Sequence, residues 1–140
     1  MRHIDTNVVL RYLVQPVTPV DHARHTAARA LFRRIQGGQE HVRITESVIA
    51  EVLYVLCSPR QYGLGHANAS ARLRPILSLR GLHIPHKRTY LRALEIFSTY
   101  SHLDFEDAVV VAHMAREGEA DLYTFDSDFD RIPGIVRIEP

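Results

Sequence analysis

Apolar and polar positions along the chain follow two periods, one typical of helices and one typical of short strands. The helical period is clearest at 20–36 and predicts further helices at 6–14, 46–57, 66–80, 87–100 and 104–117. Short segments between them predict strands at 1–5, 41–45, 82–84, 121–125 and 135–138. Strands that alternate with helices favour an α/β fold with a mainly parallel sheet covered on both faces.

Length and composition restrict the class of protein. The chain has 140 residues, enough for one domain over 1–140, and contains neither an internal repeat nor a linker-like stretch. Cys57 is the only cysteine, which excludes an intramolecular disulfide and fits a reducing compartment. No secretory signal and no apolar run of about 20 residues is visible, so we expect a cytoplasmic protein without a membrane segment.

The net charge of +1 conceals an uneven distribution. Residues 1–103 carry 14 Lys/Arg and 6 Asp/Glu, whereas residues 104–140 carry 3 and 10. A basic part facing a polyanion and an acidic part holding cations would have this distribution. Charges scattered over solvated faces would produce it equally well.

Two acidic residues directly follow predicted strands. Asp5 ends the first strand and Asp126 follows the strand at 121–125, with Asp128 two residues further on. In a parallel sheet the carboxyl ends of the strands meet at one edge, where ligands bind. Helix capping is the alternative for Asp5, and a turn is the alternative for Asp126 and Asp128.

Two further acids lie in apolar helical segments. Glu51 is surrounded by apolar residues in the helix 46–57, and burial of a lone carboxylate there would be costly without a metal or a partner. Asp107 precedes the small and β-branched run at 108–112, which predicts a buried helix. A place at the edge of the apolar stripe is the alternative for Glu51. Stabilisation of a helix N-terminus is the alternative for Asp107 and its neighbour Asp104.

Four carboxylates converging on one edge of a sheet would repel each other strongly. Hard divalent cations relieve that repulsion, and magnesium prefers oxygen ligands. Such ions can generate hydroxide and stabilise an in-line displacement at phosphorus. The pattern therefore predicts phosphodiester hydrolysis, without distinguishing RNA from DNA.

Four segments together resemble the PIN-domain ribonucleases, especially the VapC-type toxins of bacterial toxin–antitoxin pairs. The segments are HIDTN at 3–7, SVIAEVLYVL at 47–56, DFEDAVVVAHM at 104–114 and LYTFDSDFDRIPGI at 122–135. The resemblance implies a three-layer α/β/α fold with a mainly parallel central sheet of four to five strands. It also implies Mg²⁺ or Mn²⁺ as cofactor and single-stranded RNA as substrate.

The same resemblance carries the catalytic, metal-binding role onto Asp5, Glu51, Asp107 and Asp126, with Asp104 and Asp128 as further candidate ligands. Hydrogen bonds from Thr6, Asn7 and Thr124 would orient these acids. A small antitoxin would insert into an acidic groove formed in part by 48–56 and 90–97, and the same surface would form a homodimer. A nuclease without an antitoxin, a non-catalytic RNA-binding module and a phosphatase built on Asp5 are the alternatives.

Overall fold

The computed structural model describes all residues 1–140 and contains six α-helices and five short parallel strands. The helices are α1 Thr6–Leu13, α2 Pro19–Gln36, α3 Glu46–Cys57, α4 His66–Leu77, α5 Lys87–Thr99 and α6 Phe105–Glu117. The strands are β1 Arg2–His3, β2 Val42–Arg43, β3 Leu82–His83, β4 Asp121–Tyr123 and β5 Val136–Ile138. The α/β class and the parallel strands are confirmed.

The strands are shorter than the sequence pattern predicts and pair as two sheets. β1, β2 and β3 form a parallel sheet in that order, and β4 pairs with β5 in parallel. Leu82 lies opposite Val42 in the three-stranded sheet. The number of strands agrees with the four to five expected, but they form one sheet of three strands and one sheet of two.

Only one face of the three-stranded sheet is fully covered. Ile4, Val42, Ile44, Leu82 and Ile84 are buried in the main hydrophobic cluster. At the register positions between them, His3 and Arg43 are exposed and His83 is half-buried. β2 and β3 therefore alternate apolar and polar residues, as half-buried strands do, and the expected cover on both faces is incomplete here.

Local sequence signals explain most helix boundaries. α2 begins with a capping box in which Thr18 and Asp21 exchange hydrogen bonds, and Pro19 occupies its first turn. α6 begins at the N-cap Asp104 and ends at Gly118, whose φ of 74° favours glycine. α4 accommodates Pro75 but ends at Leu77, three residues before the predicted end at 80.

A short 3₁₀ helix, Ser127–Arg131, follows β4 where the sequence indicated only a turn. No helix is both long and apolar enough to span a bilayer. Of the packing between helices, α1 contacts α2 and α3, α3 contacts α4 and α6, and α5 lies between α4 and α6. α3 is thus packed against both α1 and α6.

Candidate active site

Asp5 lies between β1 and α1 with its carboxylate free of backbone partners. It occupies the N-cap position of α1, but its side chain accepts no capping hydrogen bond. Its one side-chain contact comes from Asn7, whose Nδ2 donates to Asp5 Oδ2 at 3.3 Å. Capping by hydrogen bonding therefore does not explain Asp5, and its exposed carboxylate is available to a ligand.

Glu51 is held by α1 from across the helix interface. The buried hydroxyl of Thr6 donates to Glu51 Oε2 at 2.9 Å and so joins the start of α1 to the middle of α3. The expected burial of Glu51 is wrong, because the residue is exposed. Only one face of α3 packs into the core, through Ile49, Val52, Leu53 and Leu56. Glu51 lies on the opposite, open side.

Asp104, Asp107 and Asp126 form an electrostatically coupled group around the start of α6. The side chain of Asp104 caps the helix by accepting from the backbone N–H of Asp107 at 2.9 Å. Asp107 is half-buried, not fully buried as expected. Burial first, then the charge and hydrogen bonding of Asp104 and the charge of Asp126, raise the pKa of Asp107 from 3.8 to about 6. These carboxylates thus destabilise the charged form of Asp107 when no cation is bound.

Asp126 stands at the N-cap of the 3₁₀ helix. Its Oδ1 accepts from the backbone N–H of Asp128 at 2.9 Å, and its own N–H donates to Thr124 Oγ1 at 3.0 Å. Asp126 therefore does form a turn, which was the alternative to a site role. Its second carboxylate oxygen, Oδ2, has no hydrogen-bond partner in the protein. Asp128 is half-buried, and its backbone carbonyl accepts from His102 Nε2 at 3.0 Å.

The hydrogen bonds and charge interactions of the predicted acids link them in two groups. One contains Asp5 and Glu51 with Thr6 and Asn7, and the other contains Asp104, Asp107 and Asp126. Glu51 and Asp104 line the same groove, which connects the groups, although no hydrogen bond joins the four predicted catalytic acids to one another. The arrangement is an open acidic surface instead of a closed cage.

A groove of about 800 Å³ runs between α3 and the α5–α6 junction. Leu53, Tyr54, Phe97 and Phe105 contribute apolar surface, and Tyr54 is 74% exposed. The acids along the groove are Glu51, Asp104 and Glu106. Tyr54 and Phe97 lie within the segments 48–56 and 90–97 that were predicted to form the groove, whereas Phe105 lies outside both segments. His66, which stacks on Phe97 at 3.8 Å between ring centroids, was missed because α4 had no site signal.

The residues suit a magnesium-like ion chemically but do not surround one. No three His, Cys, Asp or Glu side chains lie close enough together to enclose a metal ion. Mg²⁺ does not require such a cage, because it retains several waters and is commonly held by one or two carboxylates. The oxygen-only donors and the raised pKa of Asp107 fit a hard cation at the second group.

Comparison with known proteins agrees with the fold. The PIN domain family model matches residues 3–135, nearly the whole chain. No curated protein matches at a significant level. PIN domains are typically nucleases, and PIN nucleases typically depend on metal ions. The chain therefore belongs to the PIN-domain family.

Proposed function

We propose that this protein is an endoribonuclease that hydrolyses phosphodiester bonds of single-stranded RNA at Asp5, Glu51, Asp107 and Asp126. The observation that carries the proposal is the crowding of Asp104, Asp107 and Asp126 at the start of α6, where burial and the two neighbouring carboxylates raise the pKa of Asp107 to about 6. Such an arrangement costs stability unless a cation is bound, and a PIN domain typically uses a cation for nuclease chemistry. We also propose that 1–140 forms a single domain.

Mg²⁺ or Mn²⁺ would be held by carboxylates of Asp5, Glu51, Asp107 and Asp126, with Asp104 and Asp128 as additional oxygen donors. Bound there, the ion would polarise the phosphate and lower the pKa of a water. The chain supplies the orientation. Thr124 Oγ1 fixes the backbone of Asp126, and Asn7 restrains Asp5.

In this proposal Glu51 takes the proton of the attacking water. Thr6 occupies Glu51 Oε2, and this bond fixes the carboxylate while Oε1 has no protein partner. An exposed, oriented carboxylate can accept a hydrogen bond from an attacking water and take its proton. Thr6 is therefore a positioning residue in this proposal, acting through Glu51.

We expect the purified protein to cleave labelled single-stranded RNA with magnesium or manganese and to stop when EDTA is added. Asp5→Ala should abolish cleavage, because it removes one of the proposed metal-binding carboxylates. The fold should be kept, because this carboxylate makes no hydrogen bond to the backbone. Gel analysis of a broad RNA panel measures the products. Absence of cleavage throughout, together with no rise in melting temperature on adding metal, would favour the non-catalytic module.

Thr6→Val should lower kcat for RNA cleavage by about 10- to 100-fold, the range observed when residues that orient metal ligands are removed. Valine has nearly the same shape as threonine and fills the buried position, but it cannot donate to Glu51. Thr6→Ser, which keeps the hydroxyl, is the matched control and should retain most activity. Equal kcat in wild type and Thr6→Val would exclude the positioning role.

The toxin role is part of the same proposal. An apolar groove with an acidic rim suits a short segment of a small antitoxin that carries apolar and arginine side chains. A second copy of the chain packing beside the groove would give the homodimer. Copurification with the product of a short neighbouring reading frame, and light scattering at low concentration, test these two partners. Failure of both would favour a nuclease without an antitoxin.

A further inference from the structure

A second groove, of about 580 Å³, lies between the start of α5 and the end of α6. Its lining contains no Asp or Glu and includes five basic residues: His86, Lys87, Arg88, Arg92 and Arg116. The groove is formed by the antiparallel packing of α5 against α6, in which Tyr90 meets His113 and Phe97 meets Phe105. Basic side chains thus line a groove at the opposite end of α6 from Asp104 and Asp107.

Three arginines supply the available charge. Arg88 is exposed and has no ionic or hydrogen-bonding partner. Arg92 pairs with Glu95 at 2.8 Å and Arg116 with Glu117 at 3.2 Å, but both pairs are solvent-exposed and therefore weak. Lys87 is less available, because its Nζ donates to the backbone carbonyl oxygens of Leu79 and Leu82. Arginine also presents the planar donor fork that matches phosphate.

The strand β3 adjoins the groove, because Lys87 donates to the backbone carbonyl oxygen of Leu82. His83 Nε2 lies 2.8 Å from His41 Nδ1. Burial, and then the charges of His41, Lys87 and Arg43, lower the pKa of His83. The lowered pKa keeps His83 largely uncharged at neutral pH, so the positive charge offered to a ligand is that of the groove arginines. Arginines on both α5 and α6 around one groove suit an extended polyanion better than an isolated small anion.

We infer that this basic groove binds the phosphate backbone of the RNA substrate away from the bond that is cleaved. The inference rests on the proposed nuclease function. Asp107 and Arg116 are nine residues apart on α6, about 13 Å along the axis. The acids at the start of α6 repel phosphates, so affinity for RNA has to come from elsewhere on the surface. The basic groove is the positively charged surface on the same helix.

The test is the salt dependence of RNA binding to the full chain. A labelled single-stranded oligoribonucleotide is titrated in EDTA, so that binding is measured without cleavage. The triple variant Arg88→Ala, Arg92→Ala, Arg116→Ala should lower the slope of log affinity against log salt by about 2, at about 0.7 for each lost phosphate contact. The corresponding arginine-to-lysine triple keeps the charges and should retain the slope.

A second triple variant, Arg29→Ala, Arg33→Ala, Arg72→Ala, removes the same charge from exposed positions on α2 and α4 and should leave the slope unchanged. Equal losses in both alanine triples, or no loss in the groove triple, would overturn the inference. Polyglutamate is titrated in the same way as a model of an acidic protein. If the groove triple loses polyglutamate binding but binds RNA as the wild type does, the groove binds an acidic protein and the inference is overturned. Cleavage by the wild type is assayed separately, so failure of the nuclease proposal is recognised independently.

Discussion

Asp107→Asn is expected to lower the rate of RNA cleavage by about 10²–10³-fold, the loss typical when one preorganised electrostatic contact is removed from an active site. Asparagine has the same shape and leaves the backbone N–H of residue 107 bonded to Asp104. It removes the negative charge that would hold a cation beside Asp126. Loss of activity in this variant therefore reports the charge and not the shape of the side chain.

The same substitution should stabilise the metal-free protein at neutral pH. The pKa of Asp107 is about 6 in the folded state against 3.8 ordinarily, so the folded state binds this proton more tightly than the unfolded state. The associated stabilisation is complete below about pH 4 and is lost as the pH rises through 6. A shift of this size corresponds to at most about 3 kcal/mol. Solvent screening at a half-buried site reduces this to about 1 kcal/mol.

Thermal unfolding in EDTA between pH 4 and pH 8 measures this effect. Between about pH 4 and 6 the wild type should lose the stability that protonated Asp107 contributes, in addition to any change caused by other titrating groups. Asp107→Asn should not show this additional loss and should melt a few degrees higher at pH 7. Asp121→Asn, which removes an exposed acid at the start of β4, is the control for net charge. If Asp107→Asn is fully active and no more stable than the wild type, Asp107 does not belong to the active site.

Parts of the site could be predicted because they depend on short-range signals. Asp5 and Asp126 follow strands, and the carboxyl ends of parallel strands define where ligands bind. Asp107 could be placed near Asp126 because α6 leads directly into β4, whose end carries Asp126. The side-chain bonds of Asn7 and Thr124 to the acid loops are likewise local. These features need only the order of elements and the chemistry of neighbouring residues.

The exposure of α3 could not be predicted in the same way. Glu51 and Tyr54 are three residues apart and share one side of the helix, and both are exposed in a segment that reads as apolar throughout. Whether the chain covers that side depends on how α5 and α6 pack, which is a long-range property. The same applies to His86, which begins α5 with a φ of 57°, a left-handed conformation that no local motif required.

Gly81→Ala is expected to damage the fold strongly, with a loss of about 3 kcal/mol in the free energy of unfolding. A Cβ at Gly81 would lie 2.2 Å from the carbonyl oxygen of Glu40 and 2.7 Å from that of Ile35. Both neighbours are backbone atoms, so relief requires a shift of the chain instead of a side-chain rotation. Gly81 also donates to the Ile35 carbonyl and accepts from the Val42 N–H.

Gly37→Ala is the matched control, because Gly37 lies at the end of α2 in the same region but has a helical backbone, with φ of −72° and ψ of −7°. Its added Cβ would be tightest against the movable side chain of Gln39, at 3.2 Å, so the change should be neutral or stabilise slightly. Melting temperature should fall by about 10 °C in Gly81→Ala alone. Similar melting of both variants would contradict the backbone clash.

The consequence for the site follows from the order of the strands. Val42 bonds to Gly81, and Ile4 donates to the carbonyl of Arg43 at 3.0 Å, so a displacement at the start of β3 passes through β2 to the residue before Asp5. Gly81→Ala should therefore lower cleavage in the fraction that remains folded, whereas a purely global effect would leave the specific activity of folded protein intact. Cleavage per folded molecule at low temperature, compared between Gly81→Ala and Gly37→Ala, separates these outcomes.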